Sequence, residues 1–148
     1  MIISDELAQI STIFIDTAPV IYYIEAHPKF GPLAKEVVTA FQAGNLNAFS
    51  SVITLTEVLP KPTEQKDEKL AKKFAEFLKH GKNFAMIEIS VDIAERAGKL
   101  RGQYLFLRAI DAIQVSAAID LGADAFLTND VKLKQIKEIK VLVLADYL

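Results

Sequence analysis

Apolar residues in this chain follow two patterns that alternate along its length. At Ile13-Phe14-Ile15, Ala125-Phe126-Leu127 and Val141-Leu142-Val143-Leu144 every position is apolar. Such a run fits a strand buried on both faces, as in a parallel sheet covered by helices on each side. Strands are therefore expected at 12–15, 47–50, 84–89 and 125–128, with a fifth at 140–144. Between them, apolar residues recur three and four positions apart. Leu33, Val37, Ala40 and Phe41 form one such stripe, and Leu70, Phe74, Phe77 and Leu78 another. Ile93, Ala97 and Leu100 form a third, followed by Ile110, Val115, Ala118 and Ile119. Each stripe predicts an amphipathic helix. Gly44, Gly81 and Gly122 stand where helices should end, and Pro60-Lys61-Pro62 reads as a joint between two helices. Strands alternating with helices predict an α/β fold of three layers, α/β/α, around a central, mostly parallel sheet of four to five strands.

Composition narrows the picture. With 148 residues, 51% of them hydrophobic, the chain is one ordinary domain long and has ample material for a core, so a single domain over 1–148 is expected. No internal repeat, low-complexity tract or Gly/Ser linker divides it. The absence of Cys excludes disulfides and thiolate metal sites. The N-terminal stretch Ile2-Ile3-Ser4-Asp5-Glu6 lacks the basic region of a signal peptide. No apolar run approaches the roughly 18 residues that a membrane helix needs. A cytoplasmic protein without a membrane partner is expected.

The net charge of −2 argues at first against a nucleic-acid partner, which usually calls for a basic surface. If a handful of acids is gathered around a cation, the 17 basic residues slightly outnumber the acids that remain of the 19, and the objection lapses. Which acids these are follows from the fold. Asp16 ends the first strand and Asp130 follows the fourth, and open parallel sheets bind ligands outside the carboxyl ends of their strands. Asp111 opens the helix before the fourth strand and reaches the same edge if that helix returns there. Each Asp also has a plain reading as a helix cap or a first-turn acid. Glu57 does not, because it lies beyond the first turn of a helix capped by Ser50 or Ser51. Its neighbours are apolar or β-branched, so an isolated buried carboxylate there would be costly; a solvent-facing Glu is the alternative. The charged stretch 61–82 reads as the solvated face of a helix. His27 and His80 lack metal-ligand spacing, and Tyr22, Tyr23 and Phe30 fit core or interface better than base stacking.

Four segments carry a family likeness. Ile15-Asp16-Thr17-Ala18-Pro19-Val20-Ile21-Tyr22-Tyr23-Ile24-Glu25 resembles the opening motif of PIN-domain ribonucleases, the group that includes VapC-type toxins. Ser50-Ser51-Val52-Ile53-Thr54-Leu55-Thr56-Glu57-Val58 resembles the segment bearing their second acid. Ile110-Asp111-Ala112-Ile113-Gln114-Val115-Ser116-Ala117-Ala118 is similar to the third motif, and Gly122-Ala123-Asp124-Ala125-Phe126-Leu127-Thr128-Asn129-Asp130 to the fourth. Each motif alone is weak; the four in order are specific. Departures are Ala18, where many members have Asn, and Ile110, where a turn-forming residue is frequent.

The resemblance implies a metal-dependent endoribonuclease, the toxin of a toxin–antitoxin pair, that binds Mg²⁺ or Mn²⁺ through Asp16, Glu57, Asp111 and Asp130. Asp130 stands at the position that varies most in the family. Thr17, Thr128 and Asn129 would be accessory. It further implies an RNA substrate cut to 5′-phosphate and 3′-hydroxyl ends, a small antitoxin as partner, and a homodimer. Lys35, Arg101, Arg108, Lys132 and Lys134 are candidates for gripping phosphates, Arg101, Arg108 and Lys132 foremost. The rival readings are a housekeeping PIN nuclease in RNA processing and a metal-binding docking module without catalysis. A phosphoacceptor receiver-like domain is disfavoured, because Lys140 begins the fifth strand rather than ending it.

Overall fold

The computed structural model describes residues 2–148. In chain order its elements are α1 (Ile3–Leu7), β1 (Thr12–Ile15), α2 (Thr17–Ile24), α3 (Gly31–Gln42), β2 (Asn47–Ser51), α4 (Val52–Val58), α5 (Pro60–Glu64), α6 (Glu68–His80), β3 (Phe84–Ile87), α7 (Val91–Gln103), α8 (Ala109–Leu121), β4 (Ala125–Thr128) and β5 (Val141–Val143). Short 3₁₀ turns follow β4 (Val131–Gln135) and β5 (Leu144–Tyr147). The five strands form one sheet in the order β3-β2-β1-β4-β5, and every pairing is parallel.

The every-position-apolar runs are buried on both faces, as their pattern requires. Ile13 and Ile15 of β1 and Ala125 and Leu127 of β4 enter one core, with Val37, Phe41, Phe74 and Leu78 from α3 and α6. Phe14 and Phe126, alternating with them, enter a second core with Ile93, Ala97, Val115 and Ala118 from α7 and α8. The Phe14 and Phe126 rings lie 5.5 Å apart and nearly parallel, stacked from one strand to the next. Two separate cores on opposite faces of one sheet are the three expected layers.

Strand ends differ from expectation where a partner runs out. β3 stops at Ile87 instead of reaching position 89, because its neighbour β2 turns into α4 directly after Ser51, the partner of Ile87. β5 is confined to Val141–Val143, since β4 offers it only the ladder from Phe126 to Thr128. Pro60-Lys61-Pro62 is more than a joint: Pro60 opens the five-residue helix α5, a first-turn position where the missing N–H costs no hydrogen bond. Gly122 closes α8 at φ +77°, a left-handed conformation that glycine takes without a Cβ clash.

This strand order decides which edge of the sheet opens a crevice. From central β1 the chain moves outward to β2 and β3, then returns to lay β4 on the other side of β1. The carboxyl ends of β1 and β4 therefore flank a topological switch point, where the helices following neighbouring strands leave in different directions and open a crevice. The opposite edge is sealed by Asp124, whose carboxylate accepts from the backbone N–H groups of Ser11 (2.8 Å) and Thr12 (3.1 Å). Those bonds hold its pKa below the usual carboxylate value. Among the described residues no helix is long and apolar enough to cross a membrane.

Candidate active site

The first acid is placed by the shortest possible local logic. Asp16 follows β1 directly, and its backbone N–H continues the ladder to the Leu127 carbonyl (2.9 Å). It is also the N-cap of α2, accepting from the Thr17 N–H through Oδ1 at 2.9 Å. The capping reading and the site reading thus both hold for one side chain. The second oxygen, Oδ2, accepts from Thr128 Oγ1 at 2.9 Å, and Thr128 is itself fully buried at the end of β4. Asp16 is only 9% exposed. Its pKa is raised from 3.8 to about 6: burial lifts it most, the Thr17 and Thr128 hydrogen bonds pull it down, and the charges of Asp111 and Glu57 contribute to the rise.

The remaining acids arrive from both helical layers. β2 ends in Ser51, which caps α4 through a bond from the Ile53 N–H (3.1 Å) and sends Glu57 along that helix. Glu57 is exposed, so burial cost is not what singles it out. Its tie to the site is a 2.5 Å hydrogen bond donated by Thr17 Oγ1 to Oε1. Asp111 lies in the first turn of α8. The C-terminal end of that helix runs through Gly122 to Asp124, whose N–H bonds the Thr12 carbonyl at the opposite edge of the sheet. The roughly 20 Å length of a 13-residue helix carries its start back to the switch point. Asp130 caps the 3₁₀ turn after β4, accepting from the Lys132 N–H at 3.0 Å, and its own N–H bonds Thr128 Oγ1 at 3.1 Å. One open cleft is lined by Asp16, Thr17, Ala18, Ile21, Tyr22, Glu57, Arg108, Asp111, Thr128, Asn129 and Asp130.

Of the basic residues considered from sequence, Arg108 alone lines this cleft; Arg101 and Lys132 are exposed outside it. Lys134 pairs with Asp146 at 2.8 Å, and Lys35 lies over grooves beside α3. Arg108 precedes α8 and donates from Nε to Asp111 Oδ2 at 3.1 Å. Asn129 is a brace: Nδ2 donates to the Tyr22 hydroxyl (3.2 Å) and Oδ1 accepts from the Ala145 N–H (3.0 Å). Tyr22, read from sequence as core or interface, stacks on Phe30 at 5.1 Å and reaches the cleft with its hydroxyl end. His27 accepts from the Lys29 and Phe30 N–H groups through Nδ1 (3.1 Å each) and lies away from the acids.

Behind the acids stands a buried polar network that pattern reading passed over. Gln114 on α8 has no exposed surface; it accepts from Ser51 Oγ at 2.5 Å and donates to Thr54 Oγ1 at 2.8 Å. Thr54 in turn meets Ser50 Oγ (2.8 Å) and Thr17 Oγ1 (3.2 Å). Ser50 Oγ spends its proton on the Ile15 carbonyl at 2.9 Å, and Thr17 Oγ1 spends its own on Glu57. The single Thr54 proton therefore serves only one of these two contacts at a time. The network links α8, β2, α4 and α2, the elements that carry three of the acids. Its sequence signal is Ser50, Ser51 and Thr54 within five residues.

The acids offer carboxylate oxygens, with the hydroxyls of Thr17, Thr128 and Tyr22 beside them, and oxygens are the donors that hard divalent cations take. Among the described residues no three acidic or imidazole groups form a ready-made metal cage. A magnesium-like ion does not need one, because it keeps several waters and is anchored by one or two carboxylates. A buried carboxylate with an upward-shifted pKa next to further acids is the kind of group such a cation stabilises, so the residues fit.

Comparison with known proteins agrees with this geometry. No curated protein matches the chain by sequence. Its fold is similar to VapBC2 of Rickettsia felis bound to a DNA fragment from its promoter (23% identity, 89% of this chain and 98% of that one, TM-score 0.70). It is also similar to a toxin–antitoxin complex from Klebsiella pneumoniae (24% identity, 89% and 97%, TM-score 0.65). A third likeness is to the sarcin-ricin loop cleaving toxin VapC20 of Mycobacterium tuberculosis (16% identity, 77% and 86%, TM-score 0.63). The PIN domain family model matches residues 13–139, a span that runs from β1 through every cleft-lining acid, and the chain belongs to the PIN domain family.

Proposed function

We propose that this PIN domain is a divalent-cation-dependent endoribonuclease, the toxin of a toxin–antitoxin pair, working through Asp16, Glu57, Asp111 and Asp130. The observation that carries the reading is Asp16: a carboxylate buried at the switch point, with its pKa near 6 and other acids around it. A fold that only needed a helix cap would be more stable with an uncharged one. Descriptions of the structurally similar proteins as toxin–antitoxin complexes, and of one as a toxin that cleaves the sarcin-ricin loop, support RNA as substrate and an antitoxin as partner.

Asp16, Asp111 and Glu57 would hold Mg²⁺ or Mn²⁺, with Asp130 at a second position or orienting the attacking water. Such an ion, when bound, activates water near neutral pH and neutralises charge developing on the phosphate. The chain's own residues do the positioning. Thr17 N–H and Thr128 Oγ1 fix the two oxygens of Asp16, and Thr17 Oγ1 engages one oxygen of Glu57. The free Glu57 oxygen can accept a hydrogen bond from a water aimed at phosphorus. As that water attacks phosphorus its proton passes to Glu57 and the P–O3′ bond breaks; the 3′ oxygen takes a proton from solvent and Glu57 returns its own to solvent, leaving 3′-hydroxyl and 5′-phosphate ends. Thr17, Thr128 and Asn129 are positioning residues in this scheme. One catalytic domain over 1–148, a cytoplasmic setting and a homodimer complete the proposal, the last checked by light scattering on the purified protein.

The test is cleavage of mixed RNA by purified protein with Mg²⁺ or Mn²⁺, beside Asp16→Asn and Asp111→Asn. Both variants are expected to lose at least about 100-fold in rate, as removing a ligand costs more than removing a group that orients one. Cleavage that survives in both variants, or persists in EDTA, refutes the assignment.

A further inference from the structure

Among the described residues Arg108 is the one cationic side chain lining the acid-rich cleft. Its backbone is fixed on both sides. Leu107 before it is buried at 3% exposure, and the Arg108 carbonyl itself accepts the first helical hydrogen bond of α8 from the Ala112 N–H at 2.9 Å. The side chain is not fixed: it is 78% exposed and does not cap the helix it precedes. Its contact is a single hydrogen bond from Nε to Asp111, which is only 14% exposed. A guanidinium offers five N–H donors in a planar fork that matches carboxylate or phosphate two bonds at a time. Here one donor is used, and among the described residues the terminal amines have no protein partner. Asp111 holds the Arg108 pKa up through hydrogen bond and charge, with smaller contributions from Asp130 and Glu57. Acids from three separate segments of the chain thus act on one exposed cation.

We propose that Arg108 is an exchangeable counter-ion: it neutralises Asp111 in the cation-free protein, yields that carboxylate to an incoming divalent cation, and then turns its fork to a phosphate of the bound RNA. The single, solvent-exposed contact makes the exchange easy. A surface ion pair of this kind shifts an equilibrium by no more than about fivefold, so a divalent ion anchored by several acids outcompetes it. The freed guanidinium stays at the rim of the same cleft, because its backbone is anchored by buried Leu107 and by the first hydrogen bond of α8. This places a phosphate-binding cation beside the reacting group once the metal has taken Asp111. The inference rests on the ribonuclease reading above.

The experiment is a calorimetric titration of Mn²⁺ into the cation-free protein without RNA, comparing wild type with Arg108→Gln and Arg108→Lys. Arg108→Gln is expected to bind Mn²⁺ about two- to fivefold more tightly, the factor by which the competing pair is lost. In a second arm, anisotropy reports binding of a labelled mixed-sequence single-stranded RNA, with Ca²⁺ in place of Mn²⁺, across a salt series. Arg108→Gln should weaken that binding and flatten the slope of log affinity against log salt by about 0.7, one phosphate contact on a single strand; Arg108→Lys should restore the slope. Mn²⁺ affinity that is unchanged or weaker in Arg108→Gln overturns the exchange, and an unchanged salt slope overturns the phosphate grip. These failures are separable from failure of the ribonuclease reading, which a wild type that takes up no Mn²⁺ would show first. Thermal melts in EDTA check that the exposed substitution leaves the fold intact.

Discussion

Replacing Asp16 by Asn should make the metal-free protein more stable while destroying its activity. In the unfolded chain this carboxyl titrates at an ordinary 3.8, and in the fold at about 6. Below the lower value both states are protonated and the difference costs nothing. As pH rises from 4 to above 6 the unfolded chain releases its proton first, so stability falls across that window and stays low above it. The whole difference corresponds to about 3 kcal/mol at pH 8. Asn keeps the cap, because its Oδ1 can still accept from the Thr17 N–H, and it carries no charge to bury. With a domain of this size moving about 2–4 °C per kcal/mol, the variant should melt up to about 6–12 °C higher in EDTA at pH 8. Thermal melts of both proteins between pH 4 and pH 8 provide the assay. The gap should close as pH falls toward 4, and Mn²⁺ should raise the wild-type midpoint more than that of the variant. A variant that melts lower than wild type at pH 8 in EDTA, or a gap that does not change with pH, refutes the reasoning.

Two neighbours of the acids give further tests. Thr128→Val removes the 2.9 Å bond to Asp16 and the acceptor of the Asp130 N–H, so cleavage should fall about 10–100-fold with a loss of about 1–3 kcal/mol by urea denaturation. Wild-type turnover in this variant would show that Asp16 needs no support from β4. Gln114→Leu strips partners from Ser51 and Thr54 in a fully buried setting and should cost about 1–3 kcal/mol by the same measurement. A neutral result there would mean that the hydroxyls find other partners.

The fold was legible because both hydrophobic periods were clean. Ile13-Phe14-Ile15 and Ala125-Phe126-Leu127 are apolar throughout, and a strand with no polar face needs cover on both sides, as in a parallel sheet flanked by helices. Strand ends were not legible: where β3 and β5 stop depends on how far β2 and β4 extend beside them, a property of the pairing and not of the residues. The acids at 16 and 130 could be placed from their positions at strand ends. Asp111 needed the path of α8 across the sheet, and Glu57 needed the contact with Thr17, because neither is near Asp16 in sequence.

What the sequence determined by itself was the layer plan, the set of candidate acids and, through four motifs in order, the family likeness. Only the tertiary structure decided which side chains act on one another. It buried Asp16 and thereby raised its pKa, left Glu57 open to solvent, joined Gln114 to Thr54 across two elements, and selected Arg108 from the scattered basic residues as the one facing the acids. Local patterns set which face of an element is apolar, because that depends on neighbours three or four residues away. Burial, charge proximity and hydrogen-bond partners depend largely on residues far apart in the chain, such as Thr17 and Glu57 or Asp16 and Thr128, and exist only once the fold has brought them together.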